Sequence, residues 1–408
     1  MSETPDRRLY RLAAQIAIVR DGAGRKVLWD TRSGGETAIG EAVAAVVEQF
    51  AVPRSVDAAV GALPTRIGDS GRDVVVGIVQ ELAAAGVIEP YAPEGMRVAD
   101  GRGGMFNAPV LRPEEAFADE SLRVVFLGAP YDFGVTNRAG GRSAPSWLRR
   151  HGAALYQYPR TADAPPGAWD PVEGRRRLAG VRMADLGDLV ATVHHRNGEI
   201  FDQLQGLVER LVRTGRLPVV MGGDHSLSLA IARGVAAAHD RIGIVQLDAH
   251  NDFGSLDPGD WRSGCHHGNF VDWLVADRRV ERIVQIGVRQ MTALDPPRHD
   301  KVTVLPGRVA ERMSPEALLA TMPDDLVWHL TIDVDALDPS VLHSTGTMLP
   351  GGLSREGAAG IVERLCASRR IDAIDLMELL PEAGSEADVL LASDLLLRAI
   401  DASTAPRE

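Results

Sequence analysis

The sequence predicts an α/β fold with a mostly parallel sheet, preceded by a small separate domain. Three observations carry this. Pro218-Val219-Val220-Met221, Ile242-Gly243-Ile244-Val245-Gln246 and Leu326-Val327-Trp328-His329-Leu330-Thr331-Ile332 are apolar runs of strand length. Runs of this kind suit strands buried on both faces of a parallel sheet. Each run ends in residues able to do chemistry, at the C-terminal strand edge where ligands of open α/β sheets collect. Finally, residues 1–90 carry their own strand and helix patterns and are cut off from the rest by recurring Pro and Gly.

In that first stretch, Gln15-Ile16-Ala17-Ile18-Val19, a turn at Asp21-Gly22-Ala23-Gly24, and Val27-Leu28-Trp29 read as a hairpin. Val43, Val46, Val47 and Phe50 have the spacing of an amphipathic helix from Glu41 to Phe50. Ser55 is placed to cap a second helix. A third runs from Asp73 to Ala85 on Val75, Val76, Ile78, Val79 and Leu82, with Gly86 as its stop. A hairpin with three short helices outlines a small winged-helix domain. Residues 91–119 then form a linker, and the main domain spans 120–408. Val124 to Asp132 is its first strand and exit loop, and the Pro- and Arg-rich residues 158–177 read as a surface insertion.

Composition limits the possible functions. The chain has 408 residues, 25% of them charged and 45% hydrophobic, which is ordinary for a globular protein with a large core. A net charge of -12 argues against nucleic acid as a partner. The first 100 residues hold 11 Lys and Arg against 14 Asp and Glu, so the small domain is no DNA reader. With only Cys265 and Cys366, no disulfide framework is expected. The N-terminus lacks a secretory pattern, and no apolar run approaches the ~20 residues of a membrane span. A cytoplasmic protein with no membrane partner is expected.

The three strand ends are Gly222-Gly223-Asp224-His225-Ser226, Leu247-Asp248-Ala249-His250-Asn251-Asp252 and Asp333-Val334-Asp335-Ala336-Leu337-Asp338-Pro339. In an extended backbone Asp248, His250 and Asp252 would alternate onto one face. Pooled, His225, Asp248, His250, Asp252, Asp333 and Asp335 offer four carboxylates and two imidazoles, with no thiolate. That set is too large for one structural zinc and suits two manganese ions bridged by shared carboxylates. Taken alone, Leu247-Asp248-Ala249-His250-Asn251-Asp252 could equally be a solvated acidic turn.

Together, GGDHS, LDAHND and DVDALDP resemble the signature blocks of the ureohydrolase family of arginases and agmatinases, over roughly Leu122 to Ala402. The resemblance implies an arginase-like three-layer sandwich, two manganese ions on those six residues, and hydrolysis of a guanidinium to an amine plus urea. It also implies a trimer or hexamer. By the same resemblance, Asp252 orients the nucleophile while binding metal, and His267 of Cys265-His266-His267-Gly268-Asn269-Phe270 shuttles the proton, for which a His pKa is suited. Glu378 pairs with the substrate guanidinium. Asp224 and His329 are expected to be structural. Where arginases grip the ends of free arginine, this chain offers Gly254, Cys265 and Thr292 and keeps Ser263, while Leu256 to Arg262, with Trp261, should line the entrance. The small domain resembles the peptide chaperone of pyrroloquinoline-quinone biosynthesis, and related domains take a leader peptide as an added strand. A precursor peptide bound through residues 1–90 and converted from arginine to ornithine is the leading expectation. A small-molecule agmatinase or guanidinobutyrase, with the first domain serving assembly, is the alternative.

Overall fold

The computed structural model describes residues 9–13, 16–21, 24–30, 35–50, 54–63, 72–91, 103–155, 167–190, 197–293, 295–381 and 386–406. The chain divides into two compact units, 1–95 and 96–408.

In the first unit Ile16–Arg20 and Lys26–Asp30 form the antiparallel hairpin, and Glu36–Ala38 adds a third strand. Its turn closes with Gly24 N–H donating to the Asp21 carbonyl, and Gly24 takes a φ of +80° that glycine tolerates. A second small sheet places Leu9–Leu12 between Arg54–Ser55 and Ile88–Tyr91. The hairpin outline misses this sheet because its strands are two to four residues long and its partners lie far apart in sequence. Three helices follow the sequence pattern: Glu41–Gln49, Val56–Ala62 and Arg72–Ala84. Ser55 Oγ caps the second by accepting from Ala58 N–H at 3.2 Å. Val46, Val47, Phe50, Ala59, Val75, Val79 and Ile88 close over Leu28 as one core.

The second unit is built on eight parallel strands: β1 (Val124–Gly128), β2 (Met183–Asp188), β3 (Leu217–Met221), β4 (Ile242–Leu247), β5 (Val280–Ile286), β6 (Val302–Leu305), β7 (Val327–Asp333) and β8 (Ile371–Met377). They lie in the order β2-β1-β3-β8-β7-β4-β5-β6. Alternate residues feed opposite faces. Val124, Phe126, Val219 and Met221 join one core with helices α1 (Ala144–Leu155), α4 (Arg355–Ser368) and α5 (Glu386–Thr404). Val125, Leu127, Val220 and Ile244 join the other with α2 (Asn197–Arg213) and α3 (Leu227–Ala238). This is the three-layer sandwich expected, and burial on both faces explains why the strand sequences are continuously apolar.

Part of the stretch read as linker is built into this unit. Met105 and Phe106 are wholly buried in the first of these cores, and Met105 N–H donates to Asp185 Oδ2 at 2.7 Å. Gly and Pro signal chain breaks but say nothing of two apolar residues between them. Asp185 also takes Arg149 Nε at 2.8 Å and Nη2 at 3.0 Å, which makes a buried two-pronged ion pair between β2 and α1. In the expected surface insertion, residues 158–166 lie outside the described set. Ala168–Asp170 and Arg175–Arg177 form a hairpin instead, tied down where buried Arg177 meets Asp170, Glu363 and Asp401. Among the described residues no helix is long and apolar enough to cross a membrane, and both cysteines are free and buried.

Candidate functional site

Four neighbouring strands, β3, β8, β7 and β4, end on one edge of the sheet, and each delivers a polar residue there. The connection from β3 to β4 skips over β8 and β7, so this edge is the crevice where strand order reverses. After β3 the chain threads a narrow gap. A Cβ on Gly222 would lie 1.8 Å from Met377 Sδ, and one on Gly223 would lie 1.6 Å from the Tyr131 carbonyl oxygen. Only glycine passes, and His225 is thereby set at the centre of the edge.

His225 Nε2 lies 2.8 Å from Thr331 Oγ1, whose own hydrogen goes to Asp375 Oδ1 at 2.6 Å. The imidazole therefore donates through Nε2, which leaves a lone pair on Nδ1. Buried Nδ1 has no hydrogen-bond partner, yet it faces Asp248 Oδ2 at 3.0 Å, Asp252 Oδ2 at 3.3 Å and Asp333 Oδ2 at 3.3 Å. Four electron-rich atoms converging in a dry site require a cation or a proton among them. Burial resists protonation of His225, but the three carboxylates crowded around Nδ1 outweigh it and raise its pKa well above the ordinary histidine value. Asp333 is pushed up by burial and by the charges of Asp335 and Asp248, and Asp252 by burial and Asp248. A divalent ion would relieve all three at once.

His250 Nδ1 sits 3.1 Å from Asp335 Oδ2 and 3.5 Å from Asp248 Oδ1. Two groups with donor atoms close enough to share a metal ion result, His225-Asp248-Asp252 and Asp248-His250-Asp335, and Asp248 belongs to both. Oxygen-rich groups with one imidazole each fit manganese. The six residues pooled from the sequence are thus brought together, though not by an extended strand. β4 ends at Leu247, and Asp252 turns back with a left-handed φ of +46°. Glu378, just past β8, has a φ of +61°. Left-handed backbone at non-glycine residues is strained, and here it falls on two functional candidates.

Several supporting residues carried no signal in the sequence. Gln246, inside the apolar β4 run, donates to Asp248 Oδ2 at 2.7 Å and is itself held by Gln285. Thr347, by contrast, lies in Thr345-Gly346-Thr347, a stretch that resembles the family loop closing the site, and its Oγ1 donates to Asp335 Oδ2 at 2.9 Å. Thr136, on the loop after β1, gives its N–H to His267 Nε2 at 3.0 Å, and its hydroxyl lies 2.8 Å from the same nitrogen. His267 Nδ1 is 3.0 Å from Glu378 Oε1, which also accepts His225 N–H at 2.9 Å. Burial lowers the His267 pKa, but the Glu378 hydrogen bond overrides it and the net shift is upward. Asp224 accepts from Gly134 and Ser226, and His329 pairs with Asp375.

A cavity of about 140 Å³ opens on this centre, lined by Thr136, His225, His250, Asp252, His267, Gly268, Gln290, Asp333 and Thr347. Four of the residues picked for substrate are not in its lining. Glu378 lies beneath it, 2% exposed, with Oε1 taken by His225 and His267. Trp261 turns toward α2, its ring 5.4 Å from Phe201, with the Arg233 and Arg262 guanidiniums over it. Asp260 caps the helical turn Trp261–Gly264, its side chain accepting from Arg262 N–H. Exposed Ser263 donates to the Asp260 carbonyl, and Cys265 is buried in the second core, where burial drives its thiol pKa far up. The resemblance located these positions in the chain but not the direction of their side chains.

Comparison with known proteins agrees with this geometry. The profile described as "Arginase family" matches residues 122–401. Human mitochondrial guanidino acid hydrolase is 29% identical over 322 residues, covering 76% of this chain and 84% of its own. Agmatinase of Edwardsiella ictaluri is 31% identical over 288 residues, covering 67% of this chain and 85% of its own. The solved structure of proclavaminate amidino hydrolase from Streptomyces clavuligerus has a TM-score of 0.61 at 23% identity, covering 75% of this chain and 97% of its own, a likeness of fold.

Proposed function

This chain belongs to the arginase family and is a ureohydrolase, and on that premise we propose that it cleaves the guanidino group of an arginine side chain carried in a peptide, leaving ornithine and releasing urea. One observation supports the reaction above all others. Two acid-and-imidazole groups that share Asp248 meet His267 at one cavity.

Two manganese ions, held by His225, Asp248, His250, Asp252, Asp333 and Asp335, would supply the Lewis acidity that makes water nucleophilic near neutral pH. Asp252 orients the attacking water with a carboxylate fixed by its strained backbone. The water oxygen bonds to the guanidino carbon, the bond from that carbon to the side-chain nitrogen breaks, and the departing amine must gain a proton. His267 delivers it. Glu378 sets the His267 tautomer through Nδ1, so that Nε2 faces the cavity beside Thr136. The second oxygen of Glu378 is the candidate partner for a guanidinium.

The peptide substrate is supported by two features. Residues 1–95 form a unit of their own outside the family match, and its two small sheets offer edges for an added strand. The cavity lining has no Lys or Arg to pair with the carboxylate of a free amino acid, and its volume of about 140 Å³ admits a head group more readily than a whole zwitterion. A small guanidino compound is the second reading, favoured by the names of the relatives. Removing residues 1–95 separates them. Turnover of a precursor peptide should fall while turnover of agmatine persists if the first unit holds the peptide. Equal turnover of the precursor by both forms would remove that role.

A further inference from the structure

The opposite edge of the parallel sheet carries a cavity of about 310 Å³, at the small end of ligand sites. It lies where β1, β3 and β8 begin, beside the ends of α2 and α5, and is lined by Arg123, Arg216, Arg370, Asp372, Ser403 and Ala405 among others. We propose that this cavity binds a small oxyanion, the phosphate or carboxylate group of a metabolite.

The argument begins with two buried atoms. Arg216 is 5% exposed and sends Nη1 to the Thr214 carbonyl and Nη2 to the carbonyls of Phe117 and Asp119, but its Nε has no hydrogen-bond partner. Ser403, also 5% exposed, has an equally unpartnered Oγ. A guanidinium N–H can only donate, and a serine hydroxyl can donate as well. Two unsatisfied donors in one cavity are costly unless an acceptor lies between them. An oxyanion supplies acceptors to both.

Charge points the same way. Among the described residues Arg216 makes no direct ion pair: its hydrogen bonds go to carbonyls, and the Asp119 carboxylate, which feels its charge, is paired with Arg182. Arg123 likewise gives Nη1 to the Gly215 carbonyl. Arg370 alone is matched, by Asp372 at 2.7 Å, and Asp372 also takes His239. Three guanidiniums thus face one carboxylate in the lining, and the C-termini of α2 and α5 together add only about one negative charge. The cavity keeps a positive balance, and a divalent cation would be repelled.

Isothermal titration calorimetry of the full chain tests this, using sulfate, inorganic phosphate and succinate in turn, against chloride at matched ionic strength. Because anions can also meet the other edge of the sheet, the deciding comparison is with variants at this one. Arg216 braces two loops, so its replacement risks the fold. Ala405→Asp and Arg123→Gln act at exposed positions, and unchanged melting in chloride would show that they fold. The site is supported if at least one anion binds the parent and both variants weaken it by about tenfold or more. Preference for phosphate and sulfate or for succinate identifies the head group. Equal binding by parent and variants, or none by the parent, overturns the proposal and leaves a water-filled cavity.

Discussion

Replacing Glu378 by Gln isolates the link between the buried carboxylate and the proton donor. Glu378 Oε1 accepts from His225 N–H at 2.9 Å and from His267 Nδ1 at 3.0 Å, in a site where Glu378 is 2% exposed. A Gln carbonyl fills the same space and can accept both bonds, so placement of His225 should survive. The lost component is charge. Hydrogen bonds to an ionised group are roughly twice as strong as neutral ones, a difference of about 1–1.5 kcal/mol. At 1.36 kcal/mol per unit, the His267 pKa should drop by about one unit. The sign follows from the direction of the native shift. Glu378 raises the His267 pKa, so the imidazolium persists to higher pH in the parent. A proton donor works only below its pKa, so the alkaline limb of kcat should move to lower pH by about one unit in Glu378→Gln. The assay is urea release by manganese-loaded protein across pH, with metal content measured alongside. An unmoved alkaline limb at full metal content would refute the reasoning, because His267 would then not be the donor or Glu378 not its tuner. A general fall in kcat/KM with the limb shifted would additionally fit guanidinium pairing by Glu378.

The remaining predictions concern metal, stability and assembly. Asp248→Asn removes a donor from both metal groups and should abolish stoichiometric manganese, whereas His250→Asn weakens only one and should leave about half, read by elemental analysis after dialysis. Asp185→Ala leaves Arg149 Nε and the Met105 N–H unpaired, while Arg149 keeps Asp188 and the Gly187 carbonyl, and should cost about 2–4 kcal/mol in denaturant unfolding. A loss below about 1 kcal/mol would mean that water replaces the carboxylate there. Light scattering should find a trimer or hexamer, and a monomer at working concentration would contradict that assembly.

Most of the fold and the candidate metal-binding groups could be read from the sequence because both depend on local signals. An apolar run long enough for one buried strand, stopping at Asp or His, is visible without knowing its neighbours. Position 252 shows the limit of that reading. Alternation along an extended strand puts Asp248 and Asp252 on one face, and the structure reaches the same convergence through a left-handed turn that sequence spacing does not encode. Thr136 meets His267 across 131 residues, and Gln246 is one polar residue in an apolar strand, so neither could be singled out. Trp261 and Cys265 show the converse. Their positions in the chain suggested substrate contact, but packing against Phe201 and within the core decides where they point.

Urea release by the manganese-loaded protein tests the central claim most directly, with arginine, agmatine, guanidinobutyrate, guanidine and an arginine peptide blocked at both ends as substrates. The account predicts urea from the blocked peptide and little from the small guanidines. Rapid urea from a small guanidine with none from the peptide would contradict the substrate proposed, and no urea from any of them would contradict the reaction itself.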